Sequence, residues 1–292
     1  MATLRDIRRR IGAVRNTAKI TSAMKMVSAA KMRRAQNAIE NARPYFSKLE
    51  DTVSNLISIA NDYSNPFIET RSEIKNIAIV LIGSDRGLCG SFNTNLFKSL
   101  NIHIEDFKKQ YPNANFHIVP VGKKAVSFVK RFKIDTIREF SDIFSKLRFE
   151  DAQQIVASLT NLYLNNEVDK IFLFYNEFIN ILKQVPQIKQ LFPIEPDIEQ
   201  TNIKSLDYIF EPSKEQILDV LIPKLIDARV WKALLESNAA EQAARMMAMD
   251  NATSNANDLI RMLELQYNKE RQASITKEML EIVGGAEALK SK

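Results

Sequence analysis

The chain has 292 residues, 45% of them hydrophobic, and a formal net charge of +6, which allows one or two buried cores and suits an acidic partner, whether phosphate, nucleic acid, anionic lipid or protein. Its one cysteine, Cys89, excludes an internal disulfide, and its two histidines, His103 and His117, stand in no metal-ligand spacing. The opening MATLRDIRRRIG lacks the apolar core of a secretory signal, and no apolar run reaches the roughly 20 residues that span a bilayer, so the expectation is a soluble chain, or one held at a membrane through partners.

The first segment, residues 1–62, reads as one long helix. Ala35, Ile39, Ala42, Phe46, Leu49, Val53, Leu56 and Ala60 step by fours and threes, the seam of a helix pair. An earlier seam runs through Leu4, Ile7, Ile11 and Val14. The two are expected to differ in phase, with a shift near Ala18–Ile20 and again near Lys31, as at a stutter. Pro44 is the weak point of a continuous helix. Arg5, Arg8, Arg9, Arg15 and Lys19 fall within an arc of roughly 120° beside the apolar seam. Such an arc is a solvated face or a cationic track for an acidic surface. Nucleic acid would also fit, but no aromatic residue precedes Tyr45 to stack a base.

Residues 76–195 alternate between strand and helix patterns. NIAIVLI, FHIVPV and VDKIFLFY read as strands, separated by helical stretches near 93–110, 122–132 and 149–165. The alternation predicts a small doubly wound parallel sheet. KQVPQIKQLFPI is a further candidate strand, placed at an edge by Pro186. Residues 196–212 read as a connector.

From Lys224 to Val283 there is neither glycine nor proline, so residues 213–292 read as a second helix, about 90 Å long over that run alone. Ser213 and Gln216 have the spacing of a capping box, and Pro223 is a candidate kink. Two such helices around a globular insert pair antiparallel. If residue 60 faces residue 213, facing positions sum to about 273, which sets Met24 against Met249 and Ser28 against Arg245. Residues beyond about 272 then project without a partner. Their stripe, Ile275, Met279, Ile282, Ala286 and Leu289, implies a contact outside the chain unless the register slips.

GSDRGLCGSFN, after the first strand, occupies the place of a phosphate-binding turn. Its glycines are spaced G-x3-G-x2-G, which is neither the dinucleotide fingerprint nor the P-loop, and no lysine follows the last glycine. Asp85 would repel a phosphate and Arg86 attract one. The residues read as a tight strand-to-helix turn. Cys89 as a nucleophile would need a basic partner, and His103 lies beyond a predicted helix.

Four stretches carry a resemblance: IRRRIGAVRNTAKITSAMKMVSAAKMRRAQ, GSDRGLCGSFN, EQAARMMAMDNATSNANDLI and YNKERQASITKEMLEIVGGAEAL. Together they resemble the gamma subunit of F-type ATP synthases, in order and over the whole chain. The resemblance implies an antiparallel coiled coil of terminal helices with an inserted Rossmann-like doubly wound α/β domain. It implies a central-stalk rotor, with no cofactor and no catalytic site, turning inside a hexamer of alpha and beta subunits and joined to the epsilon subunit and the c-subunit ring. It also implies a peripheral position at a membrane; with no transit peptide read at the start, the cytoplasmic face of a bacterial inner membrane is expected, a processed mitochondrial form being the open alternative.

By the same resemblance, Arg245, Arg271 and Gln272 match positions that touch the catch loops of beta. Met24 and Lys25 match the stretch near its lever loop, and Arg8 and Arg9 match basic positions of the buried N-terminal helix. Ile275, Met279, Ile282 and Leu289 match the part of the helix inside the hexamer's sleeve. Tyr208 matches the region near epsilon and the c ring, and the turn with Arg86 and Cys89 the foot of the hexamer. The paired regulatory cysteines of chloroplast relatives are absent, since Cys89 stands alone. A helical scaffold, a basic nucleic-acid binder and a Cys89 enzyme remain as rivals, but none accounts for the resemblance at both termini.

Overall fold

The computed structural model describes residues 3–60, 63–195, 210–211 and 213–290, with backbone alone for 287–290. The elements are α1 (Leu4–Ile59), β1 (Asn76–Ile82), α2 (Phe92–Gln110), β2 (Asn115–Val121), α3 (Lys123–Phe132), α4 (Phe149–Leu164), β3 (Lys170–Phe178), β4 (Gln184–Phe192) and α5 (Lys214–Lys290). They divide into two compact units, Met1–Val27 with Met246–Lys292, and Ser28–Arg245.

In the first unit the two ends of the chain pair antiparallel. Arg8 donates to the Tyr267 hydroxyl at 2.7 Å, Thr21 and Thr253 share a hydroxyl bond of 2.7 Å, and Lys25 meets Asp250 at 2.6 Å. Facing pairs at Thr21 and Lys25 thus fall within about two residues of the expected register. Ile7, Ala18, Met249, Ala256 and Leu263 are its buried apolar residues. Thr3 caps α1: its hydroxyl accepts from the Asp6 amide, and Asp6 accepts in return from the Thr3 amide and hydroxyl.

The expected phase shift in α1 does not occur. Its buried positions run through Ile7, Ala18, Thr21, Ser28, Met32, Ala35, Ile39, Phe46, Leu49, Val53 and Leu56, one unbroken heptad phase. The seam looks interrupted in the sequence because Thr21 and Ser28 occupy core positions while Ile20, apolar, is exposed. Thr21 is tolerated there because its hydroxyl bonds the Ala18 carbonyl and Thr253. Neither proline ends its helix: Pro44 lies inside α1 and Pro223 inside α5. Both are exposed, so the carbonyl left without an amide partner faces water. Of the capping box before α5, the bond from the Gln216 amide to the Ser213 hydroxyl is present at 3.3 Å.

The second unit holds a four-stranded sheet in the order β2-β1-β3-β4. β2, β1 and β3 are parallel. The sheet is not wholly parallel: β4 runs antiparallel to β3 at the edge. Only residues 179–183 separate those two strands, too few for the crossover that parallel pairing requires. β1 is buried along nearly its whole length. Ile77, Ile79 and Leu81 pack on one face with Leu96 and Leu100 of α2 and Ala125 and Val129 of α3. Ala78, Val80 and Ile82 pack on the other with α4 and the inner stretches of α1 and α5. Helices on both faces explain why the strand reads as continuously apolar. Ala35, Ile39, Leu235 and Ala239 extend this packing between the two long helices.

Arg71 pins the start of the sheet. It donates to the carbonyls of Val168 and Tyr163 and to Asp169, while Asp169 accepts the amides of Lys75 and Asn76. Burial pushes the Asp169 carboxyl up, but Arg71 and the two amides outweigh it and hold it below the ordinary carboxylate value. A depressed carboxylate stabilises the fold above the unfolded value of 3.8 and loses that contribution as pH falls through its folded value. Asp169→Asn is therefore expected to lower stability at pH 7 by about 3 kcal/mol, by leaving Arg71 half-buried and unpaired, and to flatten the acid side of the stability–pH curve. Urea denaturation from pH 3 to 7 checks both.

Candidate functional site

The turn after β1 is built to satisfy itself. The Gly83 amide donates to Val121 and the Lys124 amide to Ser84, which ties the turn to the start of α3. Ser84 is fully buried; its hydroxyl donates to the Arg86 carbonyl and accepts from Asn93. Asp85 turns inward. One of its carboxylate oxygens accepts the amides of Lys123 and Asp142, and the other accepts the amide of Phe144 at 2.7 Å. Lys123 opens α3, so the Asp85 carboxylate meets the amide at that helix's N-terminus. Gly122, at φ 95°, lets the backbones meet: a Cβ there would lie 2.5 Å from the Gly83 carbonyl oxygen.

Cys89 is equally enclosed. Its sulfur lies 3.3 Å from the Asn93 amide nitrogen, and burial, then the nearby Glu241, pushes the thiol up. His103 bonds the Ser99 carbonyl and stands edge-on to Phe174. It is not among the contacts of Cys89, and the arrangement is that of an inert buried thiol.

The turn is locked onto α5. Arg245 donates to the carbonyls of Arg86 and Gly87 at 3.1 and 3.3 Å and pairs with Glu241 at 2.5 Å, the two side chains being 9% and 4% exposed. Burial pushes the Glu241 carboxyl up, and Arg245 draws it part of the way back. Cys89, Phe92 and Ala240 pack together beside this pair, with Phe178 and Ala244 at their margin. The clamp is not legible in the residues, because an i, i+4 acid–base pair usually marks a solvated helix face.

The remaining site residues lie on open surfaces. Arg8 and Arg9 are exposed, the first bonded to Tyr267 and the second 3.6 Å from Asp6. Arg15, of the same arc, meets Glu264 at 3.0 Å. Met24 is half-buried beside the Lys25–Asp250 pair, and Arg271 and Gln272 are exposed. Ile275, Met279 and Ile282 are 49%, 61% and 71% exposed. The side chain of Leu289, and the whole of Tyr208 and most of the 196–212 connector, lie outside the described residues.

No cluster of metal-ligating side chains and no helix long and apolar enough to cross a membrane occurs among the described residues. The described residues present paired chain ends, a mixed α/β sheet, an internally clamped turn and exposed apolar side chains at the end of α5.

Known proteins carry the same plan. A family model described as ATP synthase matches residues 3–289. The ATP synthase gamma chain of Chlorobium phaeobacteroides (strain DSM 266) is 44% identical, over 99% of this chain and 100% of that relative. That of Chloroherpeton thalassium is 44% identical over 99% of each. Among solved structures, a central stalk and c ring of the Tetrahymena thermophila mitochondrial ATP synthase contains a chain of 28% identity and TM-score 0.59, matched over 80% of this chain and 99% of that one. A chain of the Euglena gracilis mitochondrial ATP synthase, at 21% identity and TM-score 0.69, matches 98% of this chain and 94% of its own length and shares the fold. The chain belongs to the ATP synthase gamma-chain family.

Proposed function

We propose that the chain is the central-stalk rotor subunit of an F-type ATP synthase. It turns inside the hexamer of alpha and beta subunits and couples proton flow across the membrane to ATP synthesis or hydrolysis at the beta-subunit sites. It has no catalytic site of its own. The epsilon subunit and the c ring hold its other side, and the complex sits on the cytoplasmic face of a bacterial inner membrane. In this reading residues 1–62 and 213–292 form the shaft, 76–195 the globular domain and 196–212 the connector.

The observation that carries this reading is the end of α5. The helix runs on past its last paired positions near Tyr267, and its residues from Ile275 to Ala286 are exposed, with large apolar side chains among them. A long helix with bare apolar side chains calls for a sleeve. Ile275, Met279, Ile282 and Leu289 are assigned to that contact. Arg271, Gln272, Arg245, Arg8, Arg9, Met24 and Lys25 are assigned to beta, and Tyr208 and the turn with Arg86 and Cys89 to the epsilon and c-ring side. Exposed charge pairs such as Lys25–Asp250 can break and re-form at little cost as partners pass, whereas a shaft must still differ in its contacts from state to state to bias the sites it drives.

Co-expression with the alpha and beta subunits of the same source tests the assignment. The expected result is a co-eluting complex with ATPase activity absent from the isolated chain, and reduced by a chain ending at Tyr267. Failure to co-elute, or activity indifferent to this chain, overturns it.

A further inference from the structure

Glu236, on α5, is a buried acid that none of the contacts above employs. It is 7% exposed, and its Oε2 is buried without a hydrogen-bond partner among the described residues. The hydroxyl of Tyr175 on β3, a residue 4% exposed, lies beside it. The charged groups that act on it come from each element packed around it: Lys232 one turn earlier on α5, Arg43 on α1 and Glu177 on β3. Glu50 of α1 acts on Tyr175 and is itself held by Arg229 at 2.8 Å.

A carboxylate at this place would be a buried charge with one oxygen unbonded, which costs several times what a neutral carboxyl costs there. Burial pushes the carboxyl up; Lys232 opposes it, Glu177 adds to it, and Tyr175 and Arg43 draw it down. Burial, with Glu236 and Glu177 beside it, also pushes the Tyr175 phenol up, so the phenol stays a donor.

We propose that Glu236 is a proton-dependent latch in the seam where α5 packs on α1 and β3. Carrying its proton, it lets the seam close; releasing the proton to solvent, it loosens the seam. The property belongs to the fold and does not depend on the rotor role.

The sign follows from linkage. The folded chain holds this proton more tightly than the unfolded chain, whose carboxyl titrates near 4.5, so stability falls as pH rises from that value through the folded one. Glu236→Gln keeps the shape and cannot ionise. Thermal unfolding of the 292-residue chain and this variant from pH 4 to 9 is expected to show the variant gaining on the parent as pH rises, by about 2–4 °C for each unit by which folding raises the carboxyl. Melting curves that stay parallel across the range overturn the latch.

Hydrogen exchange on the parent, corrected for the intrinsic pH dependence of amide exchange, gives a second reading that needs no variant. Amides of residues 171–177 and 230–240 are expected to lose protection with rising pH more than those of residues 77–81. Uniform protection across these three stretches overturns it.

Discussion

Arg245→Ala is expected to destabilise the chain by about 3–5 kcal/mol, with the loss seen as a lower urea midpoint and faster proteolysis at residues 84–90. The guanidinium is shared between Glu241 and the carbonyls of Arg86 and Gly87. Removing it leaves a carboxyl that is 4% exposed without its salt-bridge partner, and leaves two carbonyls short of a donor. Lysine at the same position supplies one compact charge and cannot serve three acceptors with a planar fork, so Arg245→Lys should fall between alanine and the parent. The double variant Arg245→Met, Glu241→Leu is expected to recover most of the loss, because replacing both members of a buried pair is far cheaper than orphaning one. Were Arg245 a partner contact alone, the isolated alanine variant would melt like the parent. A loss of stability in the isolated chain together with weaker coupling in the complex is the result expected of a clamp that holds the turn in shape for its partner.

The second large effect should spare the fold entirely. Met279→Asp with Ile282→Asp is expected to leave the melting temperature of the isolated chain unchanged, since both side chains are mostly in water and surface changes of this kind are usually small. In the assembly the same pair would put two carboxylates into the apolar sleeve of the proposed hexamer. A penalty of about 3 kcal/mol corresponds to roughly 100-fold weaker association, measurable as loss of co-elution at limiting subunit concentration. Equal loss of stability and of assembly would mean instead that the tip packs within the chain. Leu263→Asp is the contrasting change, because that side chain is 5% exposed and belongs to the pairing of the two chain ends.

Much of the fold is legible in the residues, and the misreadings have physical causes. NIAIVLI is a continuous apolar run because helices cover both faces of β1, and that pattern needs no tertiary knowledge. The direction of β4 is set by the five residues between it and β3, 179–183, which are too few for a parallel crossover and demand a hairpin. The seam of α1 is hidden at Thr21 and Ser28, polar residues buried in core positions that a hydrophobic pattern leaves blank. The turn was legible as a turn, but its logic was not. Asp85 reads as a charge that would repel phosphate, whereas it ties the turn to α3 and to residues 142–144 through their backbone amides. The buried Glu241–Arg245 pair is not legible in the residues, because sequence spacing cannot tell which face of a helix is covered. Glu236 is hidden for the same reason: in this stretch α5 is buried nearly all round, and an acid inside such a helix carries no mark in sequence.

A central-stalk rotor must turn within its hexamer. A complex of the chain with alpha and beta subunits, fixed by the hexamer and carrying a fluorescent bead on the exposed end of α2 away from the turn, shows directly whether it does. Stepwise rotation of the bead in one direction, dependent on ATP and halted when ATP is removed, is the expected result. Sustained ATP hydrolysis by the complex with a bead that only fluctuates about one position would contradict the rotor assignment.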